Sequence, residues 1–287
     1  MSTDVESRVR TAHAQGPRTG EWAVVLGASS GMGAAVARRL AAEGMSVLGV
    51  HLDTAARAEE ADRLADELRA TGVEVRFVNA NAASRETCAE IVAGLAGTEP
   101  ADPAHPVRVG LLFHSLAFGS LLPYLPRPGE PRDDKALLSS RQMTMTLEVM
   151  AHSLVWWTRE LIDSGLLGQG SHVMAMTSAG DTKVSTSYGA VSAAKAALLA
   201  HVRQLAVEAA PYGVAVNAVR AGVTITPSFD RIPGSARLAE VALAANPHER
   251  LTTTDDVAEI VSTLVATRSS WMTGNVVAAD GGEGLTT

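Results

Sequence analysis

Residues 27–33 read Gly27-Ala28-Ser29-Ser30-Gly31-Met32-Gly33. An apolar run over 22–26 leads into them, and a helical pattern over 32–42 follows. Glycines allow the backbone to turn tightly and let a ligand approach it closely. The first turn of a helix offers unpaired N–H groups and the positive end of its dipole. Strand, glycine loop and helix in that order form the arrangement that receives a pyrophosphate, so the stretch predicts a dinucleotide site.

Outward from this loop, strand and helix patterns alternate. Residues 46–51 read as a second strand, and residues 55–70 as an amphipathic helix capped by Asp53 or Thr54. A strand over 74–79 and a helix over 85–95 come next, then a strand over 107–113 that is apolar except for Arg108, as the middle of a parallel sheet requires. Further strands are predicted over 172–176, 214–219 and 276–279, and further helices over 140–161, 191–208 and 255–267. Seven strands in alternation with helices predict an α/β fold: one Rossmann-type doubly wound domain over 21–287 with a parallel sheet flanked by helices. Residues 1–20 read as a flexible arm. Pro123, Pro126, Pro128 and Pro131 make 119–135 a loop long enough to act as a flap, and 227–246 reads as a helical lid.

Composition narrows the function. The chain has 287 residues, 46% of them hydrophobic and 19% charged, which suits one large domain with a substantial core. A formal net charge of −7 argues against nucleic acid as a partner. Cys88 is the single cysteine and the histidines are scattered, so neither a disulfide framework nor a metal site is expected. No apolar run is long enough to span a bilayer and the first residues lack a signal-like apolar stretch; a cytoplasmic protein with no membrane partner is expected.

The spacing G-x-x-x-G-x-G resembles that of the short-chain dehydrogenase/reductase superfamily. The segment Val216-Asn217-Ala218-Val219-Arg220-Ala221-Gly222-Val223-Thr224-Ile225-Thr226 is similar to that family's V-N-x-V-x-P-G-x-x-x-T, with Ala221 in the proline place. Asp280-Gly281-Gly282 resembles its closing D-G-G. The resemblance runs from Trp22 to Gly282 and implies a nicotinamide dinucleotide held by Gly27, Ser29, Ser30, Gly31, Met32 and Gly33. It also implies Asn81 and Ala82 at the adenine, and Gly222, Thr224 and Thr226 at the nicotinamide end. An acidic residue ending the second strand would favour NAD(H). That place is held by His51, and His51 with Arg57 could meet a 2′-phosphate, so the segment leans to NADP(H). Asp53 could still reach the ribose, and NAD(H) stays open.

Tyr188 and Lys195 are candidates for proton transfer and cofactor anchoring, in a chain with only three tyrosines and three lysines. Seven helical residues rotate through roughly 700°, about 20° short of two turns, so a helix would put both on one face. The superfamily's usual pattern is Y-x-x-x-K preceded by a serine. Here Val191 stands four residues before Lys195, while Ser178 keeps the serine's place seventeen residues before it.

The Y-x-x-x-x-x-x-K interval resembles the enoyl-acyl-carrier-protein reductase branch. So does His114-Ser115-Leu116-Ala117-Phe118-Gly119, similar to H-S-I-A-F-A, which implies Ser115, Leu116 and Ala117 at the cofactor. The common enoyl reductases carry a tyrosine ten residues before the catalytic one. This chain has Ser178 there, as a second, NADPH-dependent bacterial type does. The resemblance implies reduction of an α,β-unsaturated carbonyl in a small-molecule or acyl-carrier-bound substrate, with Tyr188, Lys195 and Ser178 catalytic, in a homotetramer or homodimer. The alternatives are a ketone or alcohol oxidoreductase of the same superfamily and a non-catalytic dinucleotide sensor.

Overall fold

The computed structural model describes residues 18–99, 106–129 and 133–286. All but the last three residues of the arm read over 1–20 lie outside them. The core is one seven-stranded parallel sheet in the order β3-β2-β1-β4-β5-β6-β7. The strands are β1 Trp22–Leu26, β2 Ser46–His51, β3 Val75–Asn79, β4 Val109–His114, β5 His172–Thr177, β6 Ala215–Ala221 and β7 Val276–Ala279. Helices α1 Gly31–Ala42, α2 Ala55–Arg69 and α3 Arg85–Ala96 connect the first four strands. The second half carries α4 Ser140–Leu147, α5 Ser153–Asp163, α6 Gly189–Glu208, α7 Ser235–Ala245 and α8 Thr254–Ala266.

β1, β2, β4 and β5 are buried along their whole length, which their continuous apolar composition requires in the middle of a two-sided sheet. One face packs Leu26, Val50, Leu112, Leu154, Trp157 and Leu198; the other packs Val25, Leu40, Phe113, Met174, Val257 and Val261. Each such side chain contributes about 1.5–3 kcal/mol on burial. The connections bring the C-terminal ends of β1, β2, β4, β5 and β6 to one edge. The order reverses between β1 and β4, and the crevice outside that reversal is where doubly wound sheets bind ligands.

Three local outcomes shape this edge. The long helix read over 140–161 runs from Ser140 to Asp163 but contains a π-helical turn at Glu148–His152. The helix read from residue 191 starts at Gly189, so Tyr188 is its N-cap, with φ −98° and ψ 2°, rather than a residue inside it. Ser187, just before it, holds a left-handed φ of 64°. Within 227–246 the structure forms α7, of which only Ala242 is buried.

Candidate active site

The glycine loop is shaped by close packing. Gly27 has φ +85°, and a Cβ there would lie 2.6 Å from the carbonyl oxygen of Ser115. A Cβ on Gly33 would collide with the carbonyl oxygen of Gly27. The N–H groups of Gly27 and Ala28 both donate to Val50 O, at 2.8 and 3.2 Å, which ties the loop to the end of β2. Ser30 caps α1 without using its side chain, and the N–H groups of Gly31, Met32 and Gly33 precede the first helical bond, Ala34 N–H to Ser30 O. They face outward as donors for an anion. These residues fit a dinucleotide pyrophosphate: the cradle has no room for side chains and its donors are unspent.

The segment after β6 comes back to this loop. A Cβ on Gly31 would lie 3.5 Å from Thr226 Cγ2, so Thr226 stands against the pyrophosphate cradle. Thr226 Oγ1 accepts from Phe229 N–H, and buried Thr224 donates its hydroxyl to Gly222 O. Glu283, beyond the closing D-G-G, accepts from Val223 N–H at 2.9 Å and leaves no space for a side chain at Gly222. The Glu283 carboxyl is raised chiefly by burial.

At the end of β2, His51 is 5% exposed and its Nδ1 lies 2.9 Å from Asp53 Oδ2. Arg57 approaches the other carboxylate oxygen at 3.9 Å and is the more exposed cation of the pair. Thr54, not Asp53, takes the N-cap position of α2. Asn79 clasps the backbone of Asp53 from both sides. Asn81 spends Oδ1 on Ala83 N–H, and Ala82 is buried with its carbonyl accepting from Trp157 Nε1. A cavity of about 330 Å³ opens beside Ser29, Ser30 and Gly31 toward Arg38 and Arg63.

The end of β4 carries His114, wholly buried, with Nε2 2.8 Å from Ser153 Oγ. Burial, and then the Lys195 charge, push its pKa down to about 3, so it is a neutral structural imidazole. Ser115 donates its N–H to Leu26 O, which locks the start of the Ser115-Leu116-Ala117 segment against the glycine loop.

Tyr188 and Ser178 are brought together. Burial raises the phenol pKa and the neighbouring Ser178 hydroxyl opposes that rise. Gly180 makes the contact possible, because a Cβ there would lie 2.6 Å from Tyr188 Cε1. Lys195 is 6% exposed and donates Nζ to Met176 O at 2.7 Å. Burial lowers its pKa to about 8, against the charge of Asp181, which raises it. Among the described residues there is no cluster of three or more His, Cys, Asp or Glu that could hold a metal, and no helix long and apolar enough to cross a membrane.

A half-buried phenol, a buried ammonium and a hydroxyl at the strand-end edge that also carries the glycine loop are the parts of a nicotinamide oxidoreductase. The family profile described as Enoyl-(Acyl carrier protein) reductase matches residues 27–283. This chain belongs to that short-chain dehydrogenase/reductase family. It is an NAD(P)-dependent oxidoreductase. Among its relatives is the cis-4-hydroxycyclohexanecarboxylate dehydrogenase of Sinomonas cyclohexanicum, 29% identical over 91% of this chain and 95% of that protein. The NADH-dependent enoyl-acyl-carrier-protein reductase FabI of Aquifex aeolicus is 29% identical over 60% of this chain and 61% of its own. Its solved structure superposes with a TM-score of 0.77, at 21% identity, over 94% of this chain and 99% of that one. A short-chain dehydrogenase from Burkholderia cenocepacia in complex with NADP matches with a TM-score of 0.75, at 25% identity, over 93% and 99%.

Four residues near the site escaped the sequence reading. Asp181 and Glu283 act through chain reversals that no local pattern shows, and Arg220 resembled an ordinary strand residue. Tyr124 had a signal: it is one of three tyrosines, in a loop already marked as unusual.

Proposed function

We propose that this reductase saturates the conjugated carbon–carbon double bond of an α,β-unsaturated thioester or related metabolite, with NADPH preferred over NADH. The observation that carries the reading is the placement of Tyr188 seven residues before Lys195, with its ring and the Ser178 hydroxyl both against Gly180. When bound, the nicotinamide supplies hydride to the β-carbon of the substrate. Negative charge then grows on the substrate's carbonyl oxygen, and a hydrogen bond from Tyr188 placed there favours the transition state over the ground state. The enolate takes a proton from solvent at its α-carbon to give the saturated product. Ser178 orients that phenol. Lys195 spends one N–H on Met176 O and keeps two for the nicotinamide ribose hydroxyls. Its charge near the phenol makes a partial negative charge on Tyr188 easier to bear.

In this reading Gly27, Ser29, Ser30, Gly31, Met32 and Gly33 hold the pyrophosphate and adjoining ribose, and Arg57 takes the 2′-phosphate. Its neighbour Asp53 has its Oδ2 engaged by His51 Nδ1 at 2.9 Å. Asn81 and Ala82 border the adenine; Ser115, Leu116, Ala117, Gly222, Thr224 and Thr226 border the nicotinamide half. The 227–246 segment closes over the substrate as a lid, and the chain works in the cytoplasm as a homotetramer or homodimer.

The test follows NAD(P)H oxidation with crotonyl and acetoacetyl thioesters side by side. Turnover of crotonyl thioester, lost in Tyr188→Phe, is the expected outcome; turnover of the ketone alone would overturn it. That second reading, a ketone or alcohol oxidoreductase, is favoured by the closeness of Ser178 to Tyr188, a pair that could equally polarise a ketone oxygen, and by the dehydrogenase among the relatives.

A further inference from the structure

Asp181 lies three residues beyond Ser178, in the 3₁₀ turn Ala179–Asp181 that folds back over the end of β5. Its side chain is wholly buried, and that of its partner Arg220 is 30% exposed. Arg220 donates from Nη2 to both carboxylate oxygens, at 3.0 and 2.9 Å, and Thr177 Oγ1 donates to Oδ2 at 3.0 Å. Thr177 and Arg220 are register partners across β5 and β6. One carboxylate therefore straps two strand ends to the turn that begins at Ser178. The backbone repeats the connection: Asp181 N–H donates to Ser178 O at 3.1 Å, and Gly180 N–H to Ser178 Oγ at 3.3 Å.

On its other side this assembly meets Lys195, whose Nζ bonds the carbonyl of Met176, the residue before Thr177. Asp181 is the group that favours the charged form of Lys195 against its burial. Other ionisable groups nearby give no such support. His114 of β4 is neutral, Tyr188 at the start of the same helix is an undissociated phenol, and Arg220 beyond Asp181 is itself a cation. A buried ion pair adds little net stability over an apolar pair of the same shape, so fixing two strand ends does not by itself require charge here.

We propose that Asp181 is a positioning residue: with Arg220 and Thr177 it fixes Ser178 against Tyr188 and supplies the counter-charge to the buried ammonium of Lys195. This rests on the reading of Tyr188, Lys195 and Ser178 as the catalytic group.

The chain has three lysines, Lys135, Lys183 and Lys195, so ¹³Cε-lysine NMR follows the Lys195 titration directly, without substrate and with two internal controls. The wild-type signal is expected to titrate at about 8. In Asp181→Asn its midpoint falls by about one unit, and the alkaline limb of the kcat/KM profile moves down with it. Asp181→Glu keeps the charge and the midpoint while lowering kcat, because Ser178 is displaced. If circular dichroism shows that Asp181→Asn does not fold, the double variant Asp181→Asn/Arg220→Gln, which strands no charge, is read instead, and its midpoint also falls. An unchanged Lys195 midpoint in the folded variant overturns the proposal. Absence of thioester turnover in the wild type would sink the proposed function but leave this titration readable.

Discussion

The ring of Tyr124 occupies the space that a side chain at Gly189 would need: a Cβ there would lie 2.6 Å from the Tyr124 hydroxyl oxygen and 2.8 Å from Cε2. The proline-rich loop thus rests on the residue that follows Tyr188, at the start of α6. Tyr124 is half exposed, and Leu121 of the same loop packs in the apolar cluster that also receives Tyr188.

Gly189→Ala therefore displaces Tyr124 without touching the proposed catalytic group. The expected result is a KM for the acyl substrate raised by about tenfold, with cofactor affinity little changed. Steady-state kinetics of Gly189→Ala and Tyr124→Ala check this. If the two differ in direction, the loop does not border the substrate.

Gly33→Ala drives a methyl into the Gly27 carbonyl, a backbone atom that cannot rotate away. The loop must open, and affinity for NADPH should fall by at least about 100-fold, measured by the fluorescence change on binding. Binding within a few-fold of wild type would show that the cradle is not where the pyrophosphate sits.

Cofactor choice is expected to rest on Arg57. Arg57→Ala should weaken NADPH by about tenfold and leave NADH nearly unaffected, because the lost contact is to the 2′-phosphate alone. Asp53→Asn should shift preference further toward NADPH by removing the remaining repulsion. Equal losses for both cofactors in Arg57→Ala would end this assignment.

His114 and His172 are buried and held neutral, each pushed down to about 3, chiefly by burial. Neither ring nitrogen of His172 has a protein partner. The unfolded chain takes up protons on these groups near pH 6.5 while the fold does not. Stability is thus full above that pH and is lost as pH falls toward about 3. Each histidine accounts for on the order of 4 kcal/mol across that window. His172→Leu, at the end of β5 remote from Tyr188, should move the acid-unfolding midpoint to lower pH. Circular dichroism titration from pH 7 to 3 checks it; an unmoved midpoint would exclude His172 as an acid-sensitive group.

Sequence by itself determined the parallel α/β fold, the glycine loop and the identity of Tyr188, Lys195 and Ser178 as candidates. These are properties of local pattern: apolar runs set the strands, glycines punctuate them, and rare residue types stand out by their spacing. The bounds of β1, β2 and β7 were legible to the residue for that reason. The helix starts at Ala55, Arg85 and Ser140 were legible too; that of α6 was not. The start of α6 at Gly189 depends on packing by Tyr124 and on the turn at Ser187, so the interval from Tyr188 to Lys195 begins at a cap rather than within the helix. Only the tertiary structure decided that Thr226 meets Gly31, that Glu283 holds Val223, and that Asp181 pairs with Arg220. Each joins residues from 39 to 195 positions apart. Such contacts arise because parallel crossovers bring the strand ends to one edge, where burial and charge pairing, rather than sequence neighbourhood, select the partners.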